Sequence, residues 1–229
     1  NDSAIANIER LFEQKVPSIY VADGHHRTAA GALVGKEFRD AAGGNRNDGK
    51  RYNYFMAVVF PDNQLKIIDY NRVVKDLNGL SEAELLSKLD TSFTVEKMSG
   101  QYKPERLHSI GMYLSGDWYK LAAKDSMYDD NDPVGVLDVT ILSKQVLEPL
   151  FNIVDLRTDK RIDFVGGIRG LGELEKRVNS GAMKVAFAMY PVSMQQLIDI
   201  SDADLIMPPK VTWFEPKLRS GVFVHELED

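Results

Sequence analysis

The stretch SIYVADGHHRTAAGAL, residues 18–33, places an apolar run, a polar turn and a run of small residues in direct succession. The letters IYVA favour a β-strand, and the alanine- and glycine-rich letters that follow favour a closely packed helix. The turn between them contains Gly24, His25, His26 and Arg27, and the last three have nitrogen-containing side chains. This order of strand, turn and helix predicts a corner at which the start of a helix faces a ligand.

The chemistry of the corner suits a phosphate group. The first N–H groups of a helix have no partner within the helix, and they carry the positive end of its dipole. Gly24 allows the backbone to approach a ligand closely, and the planar guanidinium of Arg27 can bind two phosphate oxygens. We therefore predict a phosphate-binding site at Gly24, His25, His26, Arg27 and Thr28.

Three residues of the same turn are candidates for catalysis: Asp23, His25 and His26. The histidines can transfer protons near neutral pH, and the alternative is that they are surface or packing residues. Asp23 is either the N-cap of the helix, or it orients a histidine or helps to hold Mg²⁺ beside a nucleotide. A metal site made by protein side chains is not predicted, because adjacent histidines on a helix point about 100° apart and the chain has no cysteine.

The composition limits the kinds of partner. The net charge is −6 and no basic face or tail is apparent, so a nucleic-acid partner is not expected. The apolar runs are too short to span a bilayer, so no membrane partner is expected either. The lack of cysteine fits a reducing compartment, and we expect a cytoplasmic protein that binds a small molecule.

Residue periodicity predicts a series of helices and strands along the chain. Helices are predicted at residues 1–15 and 26–42, at a segment that opens with Ser81 and Glu84 as a capping box, and at a long segment opened by Pro133. Strands are predicted at residues 17–23, 93–98, 161–167, 183–191 and 221–227, and hairpins at 52–74 and 109–123. We expect an α+β (mixed α/β) fold with a largely antiparallel sheet flanked by helices.

The start of the chain suggests its domain organisation. Asn1 lies in what reads as a helix already under way, so we expect residues 1–229 to be the C-terminal portion of a longer protein and to form one compact unit. An acidic loop near residues 125–133 offers an alternative boundary between two lobes.

The segment MPPKVTWFEPKLRSG, residues 207–221, is a second candidate for ligand binding. Two aromatic residues lie among its cations, and such a segment could stack on a base and contact phosphates. The alternative is a surface crossover whose aromatic side chains fill the core. We predict that the nucleotide site also includes Lys210, Lys217 and Arg219.

Four stretches of the chain resemble a known bacterial family. The DGHHR turn resembles the nucleotide-binding motif of the ParB/sulfiredoxin-like superfamily, in which turns of the GHHR or GxRR type hold nucleotide phosphates, and free serine kinases carry a similar DGHHR. Together with LDVTILSKQVLEPLF, VAFAMYPVSMQQL and MPPKVTWFEPKLRSG, it resembles the bacterial family called domain of unknown function 1015.

This resemblance implies a ParB/sulfiredoxin-like nucleotide-binding corner, with ATP or ADP and Mg²⁺ as the cofactor. The leading hypothesis is a nucleotide-dependent phosphotransferase, a kinase that acts on a small hydroxyl compound such as serine, with phosphoserine as the related phosphorylated partner. The alternatives are a non-catalytic nucleotide- or phosphometabolite-binding regulatory module and, with less support, a ParB-like regulator associated with nucleic acid. Free serine kinases use an acidic base upstream of the motif, and the resemblance assigns that role to neither Glu9 nor Glu13.

Overall fold

The computed structural model describes residues 1–45, 49–219 and 221–227. The chain divides into two compact units, a smaller one of Asn1–Pro61 with Pro216–Asp229 and a larger one of Asp62–Glu215. The acidic segment 125–133 lies within the larger unit. The sequence-based interpretation of the domains stays a prediction.

The smaller unit is built on the two predicted N-terminal helices. Helix α1 spans Asp2–Lys15, and the Asn1 side chain caps it by accepting a hydrogen bond from the Ser3 N–H at 3.2 Å. Helix α2 spans His25–Ala41, and a short 3₁₀ turn follows at Arg51–Asn53. Among the described residues of this unit, Gly35 alone is buried, so the unit has almost no interior of its own.

The larger unit holds a six-stranded antiparallel sheet with the strand order β3-β5-β4-β7-β2-β6. Its strands are β2 (Tyr70–Val74), β3 (Phe93–Met98), β4 (Ser109–Leu114), β5 (Asp117–Ala123), β6 (Ile162–Gly166) and β7 (Val185–Ala188). A separate antiparallel pair joins β1 (Lys66–Ile68) to β8 (Trp213–Glu215). The helices of this unit are α3 (Glu82–Leu89), α4 (Asp138–Leu142), α5 (Leu171–Asn179) and α6 (Met194–Asp202).

The six-stranded sheet is buried on both faces, because an apolar cluster packs on each of them. Successive side chains of a strand point to opposite sides and so enter different clusters. On β4, Met112 packs in the larger apolar cluster with residues of α3, α4 and α6, whereas its neighbour Tyr113 packs in a second cluster with residues of α5. The same alternation places Val74 in the first cluster and Val73 in the second. Apolar residues on both faces therefore give these strands continuous hydrophobic runs.

Several predicted elements are confirmed where local signals were strong. The predicted capping box of Ser81 and Glu84 opens α3. The structure adds an equivalent box, of Ser193 and Gln196, at the start of α6. The hairpin of β4 and β5 turns at Ser115 and Gly116, both of which have positive φ (49° and 95°). The α+β class and the antiparallel sheet with flanking helices are also confirmed.

Three predicted strands are wrong. Residues 17–23 and 221–227 belong to neither sheet, and the first strand of the predicted hairpin 52–74, residues 52–60, is replaced by the 3₁₀ turn Arg51–Asn53 and irregular backbone. A second 3₁₀ turn, Asp62–Gln64, stands where the hairpin turn was expected. An alternating apolar pattern marks a segment as suitable for a sheet, but a strand forms only where another backbone completes the ladder.

The predicted long helix at Pro133 begins five residues later. The Asp132 carboxylate accepts hydrogen bonds from the N–H groups of Val134 (3.0 Å) and Gly135 (2.8 Å), as an N-cap does, and the Val136 N–H donates to the Asp132 carbonyl at 3.0 Å, so residues 132–136 form one capped turn that does not continue as a helix. Helix α4 therefore starts at Asp138 and continues into a π-helical turn at Ser143–Leu147. Within the described ranges, no helix is long and apolar enough to cross a membrane.

Candidate anion-binding site

The turn that precedes α2 leaves the start of this helix open. Gly24 is the N-cap residue with φ of +85°, and no side chain caps the helix. The prediction that Asp23 is the N-cap is therefore wrong: its Oδ1 accepts a hydrogen bond from the Gly24 N–H at 2.9 Å, one position before the helix. The first helical N–H groups, those of His25, His26 and Arg27, receive no side-chain cap and can donate to an anion.

The guanidinium of Arg27 lies directly over this turn. A Cβ atom built on Gly24 would come within 3.1 Å of Arg27 Nη2 and 3.2 Å of Nε. Glycine at position 24 thus serves two purposes, since it accepts the left-handed backbone and leaves space for the guanidinium. The arrangement places a fork of N–H donors beside the open helix start.

Asp23 joins two cations at the same place. Its Oδ2 lies 3.4 Å from Lys217 Nζ and 3.8 Å from Arg27 Nη2. About half or more of the Asp23 and Arg27 side chains is exposed (53% and 67%), so these ion pairs are screened by water and weak. A phosphate with more charge than one carboxylate can therefore compete for both cations.

The other predicted residues of the turn have varied positions. The side chains of His25 and His26 are exposed and make no hydrogen bond to a described residue. Thr28 is partly buried, and its N–H donates to the Gly24 carbonyl at 2.8 Å, which closes the first helical turn. Arg219 is exposed, two positions beyond Lys217, and forms no ion pair within the described residues.

Lys210 belongs to the larger unit, and its backbone is fixed there by a buried arginine. Arg72 is 1% exposed, and its Nη2 donates to the Lys210 carbonyl at 3.0 Å while its Nη1 donates to the Tyr70 carbonyl. Burial lowers the pKa of Arg72 to about 10. No pattern in the sequence points to this arginine, whose guanidinium also lies 5.6 Å from the Phe164 ring centroid.

The aromatic residues of the 207–221 segment have structural roles. Phe214 is 3% exposed, and Trp213 meets Tyr70 edge to face with ring centroids 5.5 Å apart. The Trp213 ring also covers Gly166, where a Cβ would come within 2.7 Å of it. These contacts favour the alternative in which the aromatic side chains fill the interior.

Small residues hold α2 against the segment that follows it. A Cβ on Gly35 would lie 2.7 Å from the Tyr52 carbonyl oxygen, and a Cβ on Gly31 would lie 2.9 Å from the Phe55 ring. Phe38 and Tyr52 add an aromatic contact with ring centroids 5.7 Å apart. The run of small residues in the sequence thus allows the close packing of the helix that carries Arg27.

The described residues offer little to a metal ion on their own. Within residues 1–45, 49–219 and 221–227, no group of three histidine, cysteine, aspartate or glutamate residues could hold one. Mg²⁺ bound beside a nucleotide commonly needs only one or two carboxylates, with phosphate oxygens and water as the other ligands. Asp23 is the one carboxylate of the turn Asp23–Thr28.

Fold and site together define an α+β protein with an exposed helix start flanked by two cations. The family model described as "Protein of unknown function (DUF1015)" matches residues 1–140, which is more than half of the chain. The chain belongs to this family. No curated protein matches it.

Solved structures provide further similarities. The chain is similar to a free serine kinase variant in complex with AMP (13% identity, TM-score 0.43, 93% of this chain and 79% of that chain). It is also similar to a free serine kinase variant in complex with ADP (15%, 0.42, 93% and 80%). A conserved hypothetical protein from Pyrococcus furiosus gives comparable values (13%, 0.42, 93% and 82%). At these identities and TM-scores, the similarities do not assign a ligand or an activity to this chain.

Proposed function

We propose that this protein is a nucleotide-dependent phosphotransferase that acts on a small hydroxyl compound, with the phosphates of ATP or ADP bound at Asp23–Thr28. The observation that carries the proposal is the open helix start at Gly24, with the Arg27 guanidinium over it and Lys217 beside it. The resemblance of DGHHR to the phosphate-holding turns of the ParB/sulfiredoxin-like superfamily supports the same ligand.

Backbone and side-chain groups of the turn would both contact the phosphates. The N–H groups of His25 and His26 and the guanidinium of Arg27 would donate to phosphate oxygens, and Lys217 would add a second positive charge. Mg²⁺ bound with the nucleotide would neutralise the charge that develops during transfer. Lys210 and Arg219 remain predicted contributors to nucleotide binding.

Phosphoryl transfer also needs a group that accepts the proton of the substrate hydroxyl. Asp23 is the carboxylate of the turn, and His25 and His26 are exposed groups that can accept a proton. Serine is the acceptor suggested by the resemblance to free serine kinases. Its hydroxyl would lie against Asp23 or one of the histidines while the nucleotide occupies the helix start.

A second candidate function is a non-catalytic nucleotide- or phosphometabolite-binding module. The ion pairs of Asp23 favour it, because this carboxylate already pairs with Lys217 and Arg27 and is not free to accept a proton from a substrate. A nucleic-acid-associated regulator is less well supported, since the net charge is −6.

A transfer assay separates the two functions. The protein is incubated with Mg²⁺, with ATP or ADP, and with a panel of hydroxy amino acids that includes serine, and phosphorylated products are identified by mass spectrometry. A product formed by the wild type and lost in Asp23→Asn and Arg27→Ala supports the phosphotransferase. Nucleotide binding that Arg27→Ala weakens, without a product from any acceptor, supports the binding module instead.

A further inference from the structure

The larger unit contains a cavity of about 350 Å³ that the nucleotide site does not use. This volume is at the small end of the range of about 300–1,000 Å³ that is typical of ligand sites. Its wall comes from α4, from the π-helical turn Ser143–Leu147, from residues 153–157, and from Pro208 and Pro209. Two of the stretches that carry the family resemblance, LDVTILSKQVLEPLF and MPPKVTWFEPKLRSG, therefore meet at one cavity.

A buried hydroxyl lies in the cavity wall without a partner. Thr140 is 8% exposed, and its Oγ1 makes no hydrogen bond within the described part of the chain. Burying a hydroxyl without a hydrogen bond costs free energy, so native proteins rarely leave one in this state. Ser143 differs, since its Oγ donates to the Val139 carbonyl at 2.9 Å. Within the described part of the wall, Thr140 is thus the residue whose hydroxyl lacks a partner.

The wall carries two cations and two carboxylates, so it can accept at most one anionic group. Lys144 and Arg157 are both exposed cations, and neither forms a salt bridge with a described residue. Asp155 is held by its own turn, because its Oδ1 accepts a hydrogen bond from the Arg157 N–H at 2.8 Å. Glu148 forms no ion pair among the described residues, and its charge would repel a second anionic group.

Apolar side chains complete the wall. Val134, Ile153 and Leu156 lie there with the two prolines, and Leu156 also packs against the main apolar cluster of the unit. Such a surface accepts a hydrocarbon body but gives no partners to a second charged group. The turn that carries Lys144 is π-helical, a rare conformation that occurs frequently at functional sites.

We propose that this cavity is a second ligand site, which binds a small organic monocarboxylate with an apolar body. The carboxylate pairs with Lys144 and Arg157, the body lies against Val134, Ile153 and Leu156, and a hydroxyl or amino group next to the carboxylate bonds with Thr140 Oγ1. The proposal does not depend on nucleotide binding at Asp23–Thr28.

Calorimetric titration with matched probes tests the proposal. We expect 4-methylpentanoate to bind. We expect 4-methylpentan-1-ol and hexanedioate to bind at least tenfold more weakly, because the alcohol lacks the negative charge and the dicarboxylate carries one negative charge too many. Arg157→Gln and Lys144→Gln should each lower the affinity for 4-methylpentanoate at least tenfold. Equal affinity for the alcohol, no binding of 4-methylpentanoate, or no effect of either variant would overturn the proposal.

Two variants add specificity to the test. Thr140→Val keeps the shape of the side chain, so it should leave 4-methylpentanoate binding unchanged and remove the preference for 2-hydroxy-4-methylpentanoate. If the wild type has no such preference, the role assigned to Thr140 is wrong. Arg27→Ala should bind 4-methylpentanoate like the wild type, and a loss there would contradict the independence of the two sites.

Discussion

At Gly24 the backbone has φ of +85°, where any side chain is strained, and a Cβ would press on Arg27. We predict that Gly24→Ala destabilises the smaller unit by about 1–2 kcal/mol, the cost of a left-handed conformation for an L-residue, and also weakens ADP binding by displacing the guanidinium. Chemical unfolding and calorimetric titration measure the two effects.

Gly44→Ala is the matched control for this change. Gly44 has nearly the same φ (+84°), and a Cβ there would meet nothing within 4 Å. Gly44→Ala should therefore lose about as much stability as Gly24→Ala and keep the ADP affinity of the wild type. Unchanged ADP binding in Gly24→Ala would show that Arg27 does not contact the phosphates from its position over the turn.

The carboxylate of Asp23 should compete with a bound anion for Lys217 and Arg27. In buffer without Mg²⁺, we predict that Asp23→Asn strengthens the binding of inorganic phosphate roughly two- to thirtyfold, since each of its two exposed ion pairs contributes about 0.2–1 kcal/mol. Asp40→Asn removes another exposed pair of the same helix, with Lys36 at 2.6 Å, and should have no effect. Weaker phosphate binding by Asp23→Asn would contradict this competition.

At the scale of elements, α2 depends on two glycines with different neighbours. We predict that Gly35→Ala destabilises the smaller unit by about 1–3 kcal/mol, because the new methyl group would lie 2.7 Å from the Tyr52 carbonyl oxygen and backbone cannot move aside easily. Gly31→Ala should cost less, since the Phe55 ring that it meets can rotate. Circular dichroism during urea unfolding measures both, and equal stability of the two variants would contradict the packing argument.

The elements that could be predicted from the sequence are those whose signals are local. The start of α3 is marked by a capping box that spans only four residues, and the hairpin of β4 and β5 is marked by the turn residues Ser115 and Gly116. The strands predicted at 17–23, 52–60 and 221–227 are wrong because pairing depends on a partner elsewhere in the chain. The Asp132 side chain caps only a single turn at residues 132–136, and α4 starts after this turn, at Asp138.

The candidate site was partly predictable for the same reason. The open helix start and Arg27 follow from residues that are adjacent in sequence. The approach of Lys217 to Asp23 joins positions 194 residues apart, and the cation-rich composition of its segment suggested only that such a contact was plausible. Nothing in the sequence indicated that Asp23 would lie outside the helix and pair with both cations.

For the protein as a whole, a buried acid should make stability depend on pH. Asp138 is 3% exposed, and burial raises the pKa of its carboxyl to about 7, against the opposing effect of a hydrogen bond from the His108 N–H at 2.7 Å. Because this pKa lies above the value of 3.8 in an unfolded chain, the folded state keeps the proton while the unfolded state releases it. Asp138 therefore reduces stability as the pH rises from about 4 to 7.

We predict that Asp138→Asn, which cannot ionise, gains stability relative to the wild type over this pH range. The gain should reach roughly 4 kcal/mol at pH 7, because the wild type loses about 1.4 kcal/mol for each pH unit that separates the unfolded from the folded pKa. Urea unfolding at pH 4, 5.5 and 7 measures it, with the exposed Asp129→Asn as a control. A difference that stays constant with pH would mean that Asp138 is ionised in the folded protein.

The most direct test of the central claim is the affinity of the protein for ADP, measured by calorimetry for the wild type, Arg27→Ala and the control Arg10→Ala. Arg10 is an exposed arginine of α1 that pairs with Asn7 and Gln14, so its removal changes the net charge equally. We predict that Arg27→Ala weakens ADP binding roughly 10- to 150-fold, the equivalent of about 1.5–3 kcal/mol for a charged hydrogen bond, and that Arg10→Ala leaves it unchanged. Equal affinity of the wild type and Arg27→Ala, or no ADP binding by the wild type, would contradict the assignment of Asp23–Thr28 as a nucleotide-phosphate site.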